Sequence, residues 1–120
     1  MDKKELIRRY KETPLPMGIY RVQNIANGKI FIATAKNLPA KINSCRFQLK
    51  NGTHPNRELQ DDFQRLGESG FSFDILDRLE YKDDPLYSYD DDLKTLEILW
   101  LDRLQPYGEK GYHKRKKVTE

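Results

Sequence analysis

Apolar and polar positions alternate along GIYRVQNIANGKIFIATA, residues 18–35, and the alternation is interrupted at Asn27-Gly28. A period of two is the mark of a half-buried strand. Asn-Gly between two such runs predicts a β-hairpin closed by a type I′ turn. With Asn27 and Gly28 as the central residues, Val22 faces Ala33 and Asn24 faces Phe31. Tyr20, Val22 and Asn24 then share a face with Phe31, Ala33 and Ala35. Two aromatics thus stand on one face of neighbouring strands.

The period changes to that of a helix on either side of the hairpin. Residues 2–12 suit a short amphipathic helix with Leu6, Ile7 and Tyr10 on one side, ended by Thr13-Pro14-Leu15-Pro16. A helix is expected from Pro39 to Lys50, capped by Asn37 and lined by Ile42, Cys45 and Leu49, with Gly52 to end it. Asn56 to Leu66 reads as a second helix with Leu59, Phe63 and Leu66 as its stripe. Phe71, Phe73 and Ile75 alternate in a third strand, 71–79. The last helix, Asp90 to Leu104, opens on three aspartates, which favour a helix N-terminus. The order is α-β-β-α-α-β-α, an α+β class with a small three-stranded sheet flanked by helices. Residues 1–16 form an N-terminal helix and Pro-rich connection, 17–112 the domain, and 113–120 a basic C-terminal tail.

At 120 residues, with 37% apolar and 34% charged side chains, the chain has room for one modest core. No apolar run approaches the ~20 residues that span a bilayer, and the N-terminus lacks the apolar stretch of a signal peptide. The single cysteine excludes an internal disulfide and a Cys-rich zinc site. A cytoplasmic location, with no membrane partner, is the plain expectation. The net charge of +3 resides in the last twelve residues, while residues 1–108 balance at zero. Lys114, Arg115, Lys116 and Lys117 are either a phosphate-attracting tail or a solubilising end. Eight acids against Arg78 and Lys82 between Asp74 and Asp92 make an opposite pole that repels nucleic acid.

Glu97 breaks the pattern of its helix. At 100° per residue it falls between Leu93, Leu101 and Trp100, whereas Thr95 and Asp102 point away. A carboxylate placed among apolar side chains needs a partner. It either projects into a site, where it can hold a hard cation such as Mg²⁺, or pairs with a base at the rim. Trp100 reads as core.

These segments together resemble the GIY-YIG nuclease superfamily over roughly residues 17–112. Gly18-Ile19-Tyr20 matches the first motif. Phe31-Ile32-Ala33 stands at the second, which is normally Tyr-Ile-Gly. NIANGKIFIATAKNL, HPNRELQDDFQRLGESGFSFDIL and LEILWLDRLQPYGEKGY match the blocks that follow. The resemblance implies a metal-dependent nuclease-like fold, in which two tyrosines face one another across the hairpin. An arginine from the next helix and a metal-binding glutamate from the last helix complete the site. It places Tyr20, Lys41 and Glu97 at catalytic positions, with Glu97 as the ligand of a single Mg²⁺.

The same matching exposes departures. Phe31 lacks the second hydroxyl and cannot relay a proton. Ala33 adds a Cβ where glycine is usual. Lys41 keeps the charge of the arginine but not its bidentate fork. Cys45 stands where many members have histidine, and His113 where an asparagine closes the domain. Arg46, about 100° around the helix from Cys45, is an uncertain substitute. His54 is a solvated loop histidine or a phosphate contact. Cys45 reads as a small core residue, and no Cys-His nucleophile pairing is supported. The implied function is a domain that binds nucleic acid, DNA foremost, with phosphodiester cleavage weakened or lost. Arg46, His54 and residues 114–117 are its candidate nucleic-acid contacts.

An active Mg²⁺-dependent endonuclease is the alternative. Two further classes compete. The helices joined by 51–55 can be read as a helix-turn-helix regulator, although NRELQDDFQRL is acidic for a recognition helix. The acidic, tyrosine-rich loop, 81–92, can be read as a protein-interaction module.

Overall fold

The structure, a computed structural model, describes residues 2–5 and 15–114. Most of the expected N-terminal helix, and Arg115, Lys116 and Lys117 of the tail, lie outside the described residues. Within them the elements are β1 (Gly18–Asn24), β2 (Ile30–Ala35), α1 (Leu38–Asn51), α2 (Arg57–Leu66), β3 (Phe71–Arg78) and α3 (Asp90–Leu104). The strands form an antiparallel sheet in the order β2-β1-β3. This is the α+β architecture read from the sequence.

Each element has a local cause. The Asn37 side chain accepts from the Ala40 N–H at 3.2 Å and starts α1, and Gly52 ends it. Asn56 plays the same part for α2, accepting from the Leu59 N–H at 3.0 Å, so this helix begins one residue later than its sequence suggests. Gly18 lets β3 come close: a Cβ there would lie 2.1 Å from the Asp77 carbonyl oxygen. The glycine of Gly18-Ile19-Tyr20 is thus required by strand packing.

β1 is the central strand and is buried on both sides. Tyr20 and Val22 meet Leu38, Cys45 and Leu49 of α1 and Leu59 and Phe63 of α2. Ile19 points to the other face, where Ile32 and Leu96 join it and Trp100, Leu101 and Leu104 of α3 pack around them. Trp100 is half-buried there and donates its indole N–H to Asp77 at 3.2 Å. A sheet covered on both faces shows less alternation in burial than its sequence period implies.

The hairpin register differs from the expected one by two residues. Tyr20 pairs with Ala33 and Val22 with Phe31. The reason is Asn24, whose side-chain oxygen accepts from the Ala26 N–H at 2.9 Å and the Asn27 N–H at 3.4 Å. The chain therefore turns at Asn24, whose own N–H donates to Lys29 O at 2.9 Å. Four residues, 25–28, make the connection in place of a two-residue type I′ turn, with Gly28 at φ +78°. A slip of two keeps every side chain on its expected face.

The closing segment makes a contact that the order of elements does not predict. After α3 the chain returns alongside β2. The Tyr112 N–H donates to Ile30 O at 3.0 Å, and the Ile32 N–H donates to Nε2 of His113 at 3.0 Å. The exposed edge of β2 is thereby capped. A Cβ at Gly111 would meet Pro106 O at 2.2 Å, so the return needs glycine. Tyr112 locks it: its hydroxyl accepts from Asn24 Nδ2 at 3.0 Å and donates to Asp62 at 2.9 Å.

Candidate active site

Phe31 is the hub. Its ring meets Tyr20 edge-on at 6.5 Å, His54 edge-on at 5.2 Å, and lies parallel to His113 at 5.1 Å. The two aromatics do share a face, as the strand period requires. Ala33 sits directly across from Tyr20, so the methyl that replaces a glycine hydrogen lies beside the first tyrosine.

Tyr20 is only 2% exposed, and so is Cys45. Tyr20 and Cys45 are packed in the same buried cluster. Burial raises the Tyr20 pKa, and the thiol adds to the rise. Burial raises the Cys45 pKa as well, against the opposing pull of Tyr20, Lys41 and Arg46. Cys45 is the small core residue expected, and its thiol is held protonated rather than as a nucleophilic thiolate. Lys41, one turn earlier on α1, is exposed, yet its charge is felt at both Cys45 and His54.

His54 is 8% exposed, not the solvated loop residue its turn context suggests. Its Nδ1 accepts from the Asn56 N–H at 3.0 Å, and its own N–H donates to Gln60 Oε1 at 3.0 Å. Gln60 Nε2 donates in turn to Leu49 O at 2.8 Å, tying the α1–α2 connection together. Burial lowers the pKa of His54 and of His113. In both, one ring nitrogen accepts from a backbone N–H, which requires a lone pair there. Each ring is therefore neutral, with its proton on the other nitrogen. Each imidazole then carries its N–H on the remaining nitrogen and has its lone pair engaged.

Glu97 stands on the other side of His113. It is half-buried on α3 and makes no ion pair or hydrogen bond among the described residues. It opens onto a cavity of about 400 Å³, lined also by Leu101, Asp102, Tyr107, His113 and Lys114. A second cavity of about 600 Å³, with Arg57, Asp61 and Tyr112, shares His113 and Lys114 as its wall. Among the described residues, no group of three or more His, Cys, Asp or Glu could hold a metal ion alone. Glu97, with no ion pair among the described residues, is the carboxylate that would hold a Mg²⁺, an ion that keeps several waters and binds through one or two carboxylates.

The fold thus gathers Tyr20, Phe31, Ala33, Lys41, Cys45, His54 and His113, and His113 joins them to Glu97 and Lys114. Arg46 acts on Cys45 through its charge. Its guanidinium stacks on Phe73 at 4.5 Å, over β3. Tyr112 and Asn24 position the closing segment beside the site, a role that the sequence pattern does not reveal. They are 88 positions apart in the chain, and no local pattern links them.

The fold is that of a GIY-YIG nuclease catalytic domain. Two solved structures share it, both of the catalytic domain of the intron homing endonuclease I-TevI, one of them a point mutant. The mutant aligns at 24% identity and a TM-score of 0.64, covering 76% of this chain and 86% of that one. The other aligns at 26% identity and a TM-score of 0.63, covering 74% and 88%. No protein-family model and no curated protein matches the chain. No described helix is long and apolar enough to cross a membrane.

Proposed function

We propose that the chain is a nuclease-like domain that binds nucleic acid, DNA foremost, and cleaves phosphodiesters slowly or not at all. One observation carries this reading: the two imidazoles packed on Phe31 each have a ring nitrogen engaged by a backbone N–H. The Tyr20 hydroxyl is buried against Cys45. The lone pairs of His54 and His113 are engaged by backbone N–H groups. Phe31 has no hydroxyl at all. General base catalysis needs a group within reach of the attacking water and free to take its proton.

Binding groups remain. Lys41 and Lys114 are exposed, and Lys114 borders both cavities. Arg115, Lys116 and Lys117 follow in sequence and extend the positive charge. Glu97 would hold a Mg²⁺ beside the phosphate, where the ion supplies charge neutralisation and Lewis-acid polarisation. A working Mg²⁺-dependent endonuclease is the second reading, and a Glu97 carboxylate with no ion pair among the described residues favours it.

The test is a cleavage assay on single- and double-stranded DNA and RNA with Mg²⁺ or Mn²⁺, run beside Glu97→Ala and Tyr20→Phe. The expected result is salt-sensitive binding with cleavage absent, or ~10²–10³-fold below that of a site with its charge stabiliser intact. Fast cleavage abolished by both substitutions would establish the second reading. Phe31→Tyr, Ala33→Gly and Lys41→Arg together should raise cleavage. No gain in that triple variant would count against an eroded site.

A further inference from the structure

α3 packs Leu93 and Leu96 inward. Its opposite face carries Asp91, Lys94, Thr95, Ile98 and Asp102, all exposed. At 100° per residue these five fall within about 100° of one another, with Ile98 near the centre. Ile98 is 60% exposed, and Leu99 at the flank is 61% exposed. Lys94 and Asp102 make no ion pair among the described residues. Eight positions apart, they are separated by about 12 Å along the helix and cannot pair with each other.

We propose that this face docks a second copy of the chain, α3 against α3, antiparallel about a two-fold axis at Ile98. Residues equidistant from Ile98 then come level across the axis. Ile98 meets its own counterpart, and Lys94 of each copy comes level with Asp102 of the other. The contact is self-complementary and occurs twice, as an isologous interface demands. A parallel pair would set Lys94 against Lys94. A nucleic acid is a poor occupant, because Asp91 and Asp102 flank the apolar centre. Glu97 of both copies falls on the same side of the helix pair. Ile98 also borders the Glu97 cavity, so the two cavities are brought beside one another.

The helix has 15 residues, about 22 Å of length. A pair of that size buries less than a standard interface, so the dimer is weak, with a Kd on the order of 10–100 µM. Sedimentation equilibrium of the full chain across that range tests it, with circular dichroism confirming that each variant is folded. A concentration-dependent dimer is expected, lost in Ile98→Arg. Lys94→Asp and Asp102→Lys should each weaken it about tenfold, since each reverses two contacts. The double variant carrying both should recover the wild-type constant. A monomer at all concentrations, a dimer untouched by Ile98→Arg, or failure of the double variant to recover would each overturn the proposal. The readout is independent of cleavage and of nucleic-acid binding.

Discussion

Tyr20 and Glu97 occupy matching positions in the resemblance, yet the molecule treats them in opposite ways. Tyr20 is sealed under α1, its hydroxyl against a thiol and its ring against Phe31. Glu97 borders an open cavity and makes no ion pair or hydrogen bond among the described residues. One position lies in the core, and the other borders a cavity. The wall between them is the His113 ring, pinned by the Ile32 N–H and stacked on Phe31.

That contrast can be broken by truncation. Tyr20→Ala should cost about 3–5 kcal/mol of stability, the usual loss for a buried aromatic. Denaturant melts would show it, and a loss under 1 kcal/mol would mean that Tyr20 is not core. Tyr112→Phe comes next, at about 1–3 kcal/mol, because Asn24 and Asp62 lose a buried partner. The same substitution should loosen His113, and NMR of the Ile32 amide would report it.

Acid sharpens the comparison further. Both histidines have pKa values lowered by burial, whereas the unfolded chain titrates near the ordinary value of about 6.5. Stability is therefore whole above pH ~6.5 and is lost as pH falls through the lower folded-state values. His113→Gln keeps an acceptor for the Ile32 N–H and should flatten that loss in melts between about pH 7.5 and 5. The smallest effect belongs to Glu97→Gln. It should change stability by no more than about 0.5 kcal/mol while weakening Mg²⁺ binding, which calorimetry can follow. A large stability loss would reveal a structural partner for Glu97.

Much of the fold was legible along the chain because its causes are local. Asn37 and Asn56 cap helices with their own side chains, Gly52 and Gly67 end them, and three aspartates open α3. The common face of Tyr20 and Phe31 followed from a period of two, which a slip of two cannot disturb. Register was less legible. Asn-Gly signals a turn, but Asn24 competes for the turn's N–H groups, and its own amide is held by Tyr112 from the far end of the chain.

The sequence by itself determined the order of elements, the faces of the strands, and which residues depart from the nuclease pattern. Those are properties of neighbours, written in spacing and side-chain type. Tertiary structure alone decided that His54 is buried, that Arg46 turns to Phe73, and that the closing segment caps β2. It also decided that both imidazoles spend their lone pairs on backbone N–H groups. A hydrogen bond's donor and acceptor can come from any two points of the chain. Whether a histidine is a base or only a donor is therefore settled where the chain brings them together.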